Sequence, residues 1–507
     1  MMEDWVECTL GEVGEIFSGG TPKTKVPEYW GGNIGWISPA DLSLHKAKTI
    51  ENGRKNITEL GLNNSSAKLL PKGSILFSSR APIGYVVIAG EELATNQGFK
   101  SIYPFNVIDK DYIYHYLKSS KGLAEKRASG TTFKEISKKV FSELPFPLPP
   151  LPIQRAIVSK LESLFSSLDS GIADLKKAQA QLKVYRQAVL KKAFEGEFTK
   201  AWREKQTDLP SAEALRKQIA EERQRHYQNE LEKWEKDVAK WEAEGKVGKK
   251  PRKLKSLNKI ETFSSEELKK LPLLPRKWKW IKSGKLFKYV TSGSRGWAKY
   301  YADEGGIFIR ITNLNFDTLD LDLTEGNLKF VNPPKGSEGS RTIVKEGDFL
   351  FSITGYLGMF AICPKLEEAY VNQHISLARP IGINNQKFLG YWIISKSGGN
   401  LFLNKRSKGA TKAGLGLNDI NQFPVPLVPL KEQHQIVSEI ESRLSVCDSL
   451  EESIDVGLKK AEALRQSLLK KAFSGQLLTE SEIEACKQEA DYEPASVLLE
   501  RIKAEKA

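Results

Sequence analysis

The sequence predicts an α+β protein built twice over. Two mixed α/β units are separated by two long helices that pair as an antiparallel coiled coil, and the whole forms a pseudo-twofold internal repeat. Three observations predict this. One part of the chain recurs later at a fixed offset, and apolar residues return every seven positions after each of two proline clusters. Short β-branched or aromatic runs between Gly, Pro and Asn turns fill the remainder.

A shift of 279 residues lays Gly130–Gly196 over Gly409–Gly475 without a gap, and about two dozen of those positions are identical, several times what chance gives. Pro145-Phe-Pro-Leu-Pro-Pro-Leu falls on Pro424-Val-Pro-Leu-Val-Pro-Leu, Gln154 on Gln433, and Leu190-Lys-Lys-Ala-Phe-Glu-Gly196 on Leu469-Lys-Lys-Ala-Phe-Ser-Gly475. Upstream the match weakens but keeps its order. Gly73-Ser-Ile-Leu-Phe-Ser-Ser-Arg80 answers Gly347-Asp-Phe-Leu-Phe-Ser-Ile-Thr354, and Thr95-Asn96-Gln97 answers Val371-Asn372-Gln373. Trp36-Ile-Ser-Pro-Ala-Asp41 is set against Ile309-Arg-Ile-Thr-Asn-Leu314.

The boundaries read from these signals are 1–150 and 275–430 for the mixed units, 151–200 for a central helix, 201–274 for a charged helical linker, and 431–507 for a second helix and tail. The proline clusters cannot continue a helix or a central strand and are expected as extended connectors. Leu161, Leu168, Leu175, Leu182 and Val189 then recur every seven residues. Ile440, Ile454, Ala461 and Leu468, interleaved with Ile436, Leu450 and Leu464, mark the partner seam. Gly171, Ala178, Gly457 and Ala461 are small residues expected to let the helices approach closely. Between them, Ala212–Ala243 is helix-prone, and Gly245–Lys255 is basic with no acid. That run is expected as solvated linker, with a DNA-backbone contact by Lys249, Lys250, Arg252 and Lys253 as the sharper alternative.

Composition narrows the class. Lys and Arg number 77 against 63 Asp and Glu, a net charge of +14. That surplus makes an acidic polymer, DNA or RNA, the first partner to consider. The acidic opening Met1-Met2-Glu3-Asp4-Trp5 has no apolar run, and no stretch approaches a membrane span, so a cytoplasmic protein is expected. Cys8, Cys363, Cys447 and Cys486 lie far apart without a CxxC pair and are expected as reduced, buried thiols.

The sequence carries no recognisable catalytic constellation. Asn332-Pro333-Pro334-Lys335 is similar to the Asn-Pro-Pro-aromatic loop of amino-methyltransferases, but Lys335 stands where the aromatic would be, so it reads as a turn. No GxxxxGK[ST] cradles ATP phosphates. Glu244-Gly245-Lys246 fits a nuclease Glu-x-Lys only superficially, and the five histidines lack metal or triad spacing. Polar residues near strand ends are better placed for reading DNA. The first unit offers Ser38, Asp41, Arg80, Asn96, Gln97, Thr131, Thr132 and Lys134. The second offers Arg295, Lys299, Tyr300, Arg310, Asn313, Thr354, Gln373, His374, Thr411 and Lys412. Arg suits guanine O6 and N7, Asn and Gln suit adenine N6 and N7, and Lys or Thr suits phosphate. Phe194 and Phe473, at the matched helix ends, are expected to bind a partner, with packing inside the chain as the alternative.

The layout resembles the specificity subunit of type I restriction–modification enzymes. The resemblance is carried by Trp5-Val-Glu-Cys-Thr-Leu-Gly-Glu-Val-Gly-Glu-Ile-Phe-Ser-Gly-Gly-Thr-Pro, by Gly-Asn-Ile-Gly-Trp36-Ile-Ser-Pro-Ala-Asp41, by the proline stretches into Gln154 and Gln433, and by the Leu-Lys-Lys-Ala-Phe-x-Gly helix ends. It spans almost the whole chain. It implies two target-recognition domains, each reading half of a bipartite, asymmetric site in double-stranded DNA, and paired helices that set the spacing. It also implies docking of two modification (methyltransferase) subunits and of restriction (translocase/nuclease) subunits. The chain itself would be non-catalytic and hold no metal or cofactor, with S-adenosylmethionine, ATP and Mg2+ in the partner subunits. The charged segment 200–271 departs from the pattern. A stand-alone adenine methyltransferase and a protein–protein adaptor are the competing classes.

Overall fold

Proline sets the border between body and helix in both repeats. Pro145–Leu148 is extended and pairs antiparallel with Val6–Thr9, and Pro424–Leu427 pairs in the same way with Lys279–Lys282. A two-stranded ribbon tolerates a residue without an N–H, which a central strand does not. Three residues later each repeat enters a 44-residue helix, Leu151–Phe194 and Leu430–Phe473. In this computed structural model the described residues are 4–80, 82–130, 134–248, 250–251, 253, 259–334, 339, 342–382, 384–406 and 414–506. They form two units, Met1–Lys177 with Ile454–Ala507, and Ala178–Ser453, so each long helix contributes to both.

The body of the first unit carries a five-stranded sheet in the order Thr49–Ile50, Val86–Ala89, Ile75–Ser78, Phe99–Pro104, Gly14–Ser18. A second sheet is ordered Lys55–Ile57, Trp30–Ile37, Leu93–Thr95, Leu69–Leu70. The second unit repeats the plan. Its main sheet is ordered Phe287–Ser292, Ile375–Pro380, Phe349–Ser352, Phe360–Ile362, and its second sheet Tyr301–Ala302, Phe330–Val331, Gly306–Ile309, Ala369–Val371. In both second sheets one pair is parallel, Trp30–Ile37 with Leu93–Thr95 and Gly306–Ile309 with Ala369–Val371. There Ile37 faces Thr95 and Ile309 faces Val371. Because Thr95 corresponds to Val371, Ser38 answers Arg310 and Asp41 answers Asn313. This corrects the sequence match, which sets the segments one residue apart from that register.

The duplicated side chains are explained by what they hold. Gln154 accepts from the Asp109 N–H at 2.9 Å and donates to the Pro149 carbonyl at 2.9 Å. Gln433 accepts from the Asn385 N–H at 3.0 Å and donates to the Val428 carbonyl at 2.8 Å. Asp109 and Asn385 each cap a short helix, so one glutamine locks body helix, proline ribbon and long helix together. In the first unit Arg465 of the second long helix pairs with Asp169 of the first. In the second unit Arg186 of the first long helix pairs with Asp448 and, at 2.8 Å, Glu451 of the second. These are the same two repeat positions with the helices exchanged, as an isologous pairing requires. Residue numbers along the two helices run in opposite senses within the first unit: Asp169 meets Arg465, and Leu175 lies against Gly457. The pairing is antiparallel.

The seam differs from the heptad reading in places. Leu450 and Leu464 are exposed, while Leu444 and Cys447 are buried in their stead. A Cβ on Gly457 would lie 3.2 Å from Leu175, so that glycine does permit a close approach; Gly171 has open space around it. The segment read as a charged linker is also built into a body. Ala212, Leu215 and Ile219, on the first turns of the helix Ala212–Ala243, are buried in the core of the second unit. Glu432, fully buried, accepts from Thr199 Oγ1 at 2.8 Å, Arg203 Nε at 2.6 Å and Trp278 Nε1 at 3.0 Å, anchoring the segment just before that helix. Among the basic run, Lys249 and Arg252 lie outside the described residues; the Pro251 carbonyl accepts from Trp234 Nε1 at 3.3 Å. All four cysteines are buried and unpaired, and burial pushes the Cys8 and Cys363 thiols up to about 12.

One buried group predicts a pH dependence. Both ring nitrogens of His115 are buried without a hydrogen-bond partner, and the ring lies against Tyr114 and Phe165. Burial, reinforced by the Lys48 and Lys118 ammonium groups and only partly opposed by Glu162 and Asp111, pushes its pKa down to about 4. The unfolded ring takes a proton near pH 6.5 and the folded one does not, so stability is full above that value. It is expected to fall by about 3 kcal/mol as the pH drops from 6.5 through 4. His115→Phe should flatten that part of the stability profile in urea titrations. An unchanged slope would place the acid sensitivity elsewhere.

Candidate nucleic-acid interface

The same end of the main sheet is built the same way in both units, starting from glycine. In the first, Gly19 and Gly20 leave the strand Gly14–Ser18 and bond to the Phe99 and Thr95 carbonyls at 3.3 and 2.8 Å. A Cβ on Gly19 would sit 1.8 Å from the Asn96 carbonyl oxygen. In the second, Gly293 follows the strand Phe287–Ser292 and bonds to the Ile375 carbonyl at 3.0 Å; its Cβ would sit 1.9 Å from the Asn372 carbonyl oxygen. Only glycine permits either contact. The side chain of Asn96 accepts from the Gly98 N–H at 2.8 Å, and that of Asn372 accepts from the His374 N–H at 3.0 Å. Two Asx turns thus hold Gln97 and Gln373 at the sheet end.

On that shared backbone the side chains differ. In the first unit the Glu135 carboxylate lies 3.4 Å from both Arg80 Nη1 and the buried Lys100 Nζ. Lys100 also donates to the Gln97 carbonyl at 3.3 Å. Thr21 Oγ1 bonds the Gln97 side chain. A second surface loop joins them, because the Asn96 N–H donates to the Ile37 carbonyl at 2.9 Å and Gly98 lies beside Pro39 and Arg80. In the second unit Thr354 Oγ1 lies 2.6 Å from His374 Nδ1, and His374 Nε2 lies 3.1 Å from Gln373 Nε2. Thr354 bridges Gly414 as Arg80 bridges Glu135. An arginine–lysine–glutamate clamp in one repeat is therefore replaced by a Thr–His–Gln relay in the other.

The structure brings together Ser38, Asp41, Arg80, Asn96 and Gln97 in the first unit, and Thr354, Gln373 and His374 in the second, with the exposed Arg295 beside Asn372 through Ser294. It also redirects several of them. Asp41 is occupied by the Ser38 N–H at 2.8 Å, the Ser38 hydroxyl at 2.6 Å and the Arg54 N–H at 3.1 Å, a capping box that shapes the loop. Asn313 does the equivalent work for Arg310, accepting from its N–H at 2.8 Å, and is only 1% exposed. Asn313 is thereby withdrawn as a base reader, since its amide also donates to the Asp322 carbonyl at 2.8 Å. Arg310 spends one guanidinium nitrogen on the Asn327 carbonyl at 2.9 Å. Lys134 is exposed next to Glu135. Lys299 is exposed 4.9 Å from the Tyr300 ring, on a turn anchored by the buried Trp297. Thr131, Thr132, Thr411 and Lys412 lie outside the described residues.

Phe194 and Phe473 require a correction. Phe194, 5% exposed, packs edge-on against Phe388 and Trp392, with centroids 5.4 and 5.1 Å away. Phe473 packs in the same manner against Tyr112 and Tyr116 at 5.2 and 5.4 Å. Each ring packs against the core of a body, Phe194 buried and Phe473 partly so, and the repeat of Leu-Lys-Lys-Ala-Phe therefore marks packing inside the chain. The residues that sequence reasoning missed are Thr21, Lys100 and Glu135. The Gly-Gly-Thr run hinted at the first; the other two come into place only through strand pairing.

Among the described residues, no helix is long and apolar enough to cross a membrane. Residues 2–177 and 275–460 match the family described as type I restriction modification DNA specificity domain. The type I restriction enzyme EcoKI specificity subunit of Escherichia coli (strain K12) is 24% identical over an alignment covering 100% of this chain and 96% of that protein. The type I restriction enzyme MjaIX specificity subunit of Methanocaldococcus jannaschii is 39% identical over 178 residues, 34% of this chain and 40% of that protein. Among solved structures, a chain from work on complex assembly and conformational transition of the type I R-M system aligns with a TM-score of 0.60 at 17% identity. It covers 94% of this chain and 99% of its own length. At that identity the likeness speaks for the fold.

Proposed function

The chain belongs to the type I restriction modification DNA specificity domain family, and from that premise we propose that it supplies the DNA address of a type I restriction–modification complex. Residues 1–150 and 275–430 act as target-recognition domains for the two halves of a bipartite, asymmetric site in double-stranded DNA. The paired helices fix the gap between the halves and dock two modification subunits. S-adenosylmethionine serves those subunits, and ATP and Mg2+ serve the restriction subunits. The observation that carries this reading is the duplicated sheet end: one backbone frame, Gly19 with Asn96 and Gly293 with Asn372, presents different polar side chains in each unit. A frame kept while its contents change is what reading two unlike sequences requires.

The test separates base from phosphate contacts. Arg80→Ala should weaken binding to the cognate duplex by about 1–3 kcal/mol and relax selectivity at one position of one half-site. Lys299→Ala should weaken cognate and random duplexes alike and reduce the salt slope by about one. Fluorescence anisotropy across a salt series checks both. Equal losses for Arg80→Ala on cognate and random DNA would make it a backbone contact.

A further inference from the structure

The charged helix Ala212–Ala243, which the family resemblance leaves without a role, forms one wall of a cleft of about 940 Å³ in the second unit. The facing wall is the main sheet at the end away from the candidate reading loops. It comprises the start of the strand Phe287–Ser292, the turn 345–348 and the end of the strand Ile375–Pro380. Both walls bring cations. Arg223 and Lys233 come from the helix, Lys288 and Lys345 from the sheet, and among the described lining residues only Glu230 and Glu346 stand against these four. The remaining acid, Asp348, is bound by Arg379 at 2.7 and 2.6 Å.

None of Lys233, Lys288 and Lys345 has an ion-pair partner among the described residues. The crowding of positive charge is felt by its neighbours. Burial, with Lys288 and Arg379 nearby and Glu230 opposing them, pushes His226 down. Lys233 and Lys345 are exposed and Lys288 is half-buried, so solvent screens part of their mutual repulsion and a bound anion would relieve the rest. Two tyrosines also line the cleft. Half-buried Tyr227 stands on the helix side, and Tyr289, 39% exposed, on the sheet side with the Arg379 guanidinium 4.9 Å over its ring. A lone phosphate would leave most of the volume empty, whereas about 300–1,000 Å³ is the range for clefts that take drug-sized ligands.

We infer that this cleft binds a nucleoside polyphosphate, with Lys233, Lys288 and Lys345 on the phosphates and Tyr227 against the base, beside the Arg379–Tyr289 stack. This site is separate from the sheet end proposed to read DNA, and its occupation would tie the middle of the charged helix, Arg223–Lys233, to the body that already buries its first turns. Calorimetric titration of the full chain with ADP, sodium pyrophosphate and adenosine tests it. The expected result is one ADP per chain, with pyrophosphate at least tenfold weaker and adenosine weaker still. Lys288→Gln combined with Lys345→Gln should weaken ADP at least tenfold while the ligand-free thermal midpoint stays or rises, because repulsion is relieved. Tyr227→Ala combined with Tyr289→Ala should weaken ADP but leave pyrophosphate unchanged. Absence of saturable ADP binding, or full affinity in the double lysine variant, would overturn the assignment. Equal affinity for ADP and pyrophosphate would overturn its nucleoside part. Stoichiometric displacement of ADP by a random-sequence duplex would reassign the cleft to the nucleic-acid backbone. These outcomes are independent of half-site reading, which the Arg80 variant tests separately.

Discussion

Phe194→Ala is expected to destabilise the second unit by about 3–5 kcal/mol, the usual cost of truncating a fully buried phenylalanine. Phe473→Ala should destabilise the first unit by the lower end of that range, because its ring is only partly buried. Each loses two aromatic contacts as well as buried area, since Phe388 and Trp392 surround the one and Tyr112 and Tyr116 the other. Hydrogen exchange localises the effect. Protection should drop in Gln386–Ile394 for the first variant and in Lys110–Ser119 for the second. A variant with unchanged protection that recruited fewer modification subunits would restore the docking role expected from the sequence.

Glu432→Ala should be comparably severe. The carboxylate is fully buried and receives a hydroxyl, a guanidinium and an indole N–H. Removing one partner of a buried ion pair costs about 3–5 kcal/mol, because Arg203 is left without its counter-charge. Glu432→Gln retains an acceptor and should cost less. Urea unfolding followed by tryptophan fluorescence reports it directly, with Trp278 beside the lost carboxylate. A loss below about 1 kcal/mol would mean that water replaces the network.

The duplication and the two long helices were legible because they rest on patterns that survive without coordinates: identity at a fixed shift, and a heptad in apolar residues. The glutamines, the proline ribbons and the helix ends all repeat for reasons that the packing then supplies. Three kinds of information were not in the pattern. The register between Trp36–Asp41 and its counterpart depends on which residue faces Thr95 or Val371, and strand pairing moved it by one. A heptad cannot tell a seam leucine from an exposed one where the partner helix sets the contact, so Leu450 and Leu464 misled while Cys447 was overlooked. At the candidate interface, polar residue type signalled a surface, yet Ser38, Asp41 and Asn313 are consumed by local capping. Glu135 joins the candidate interface only because the bridge to Arg80 brings it there.

The most direct test of half-site reading maps methylated bases genome-wide in cells carrying the chain together with its modification subunit. The wild type is compared with a chain whose residues 1–145 are replaced by the equivalent unit of another family member. One half of the methylated sequence should change, while the other half and the gap between them stay as they were. If both halves change together, or neither does, the two units do not read DNA independently.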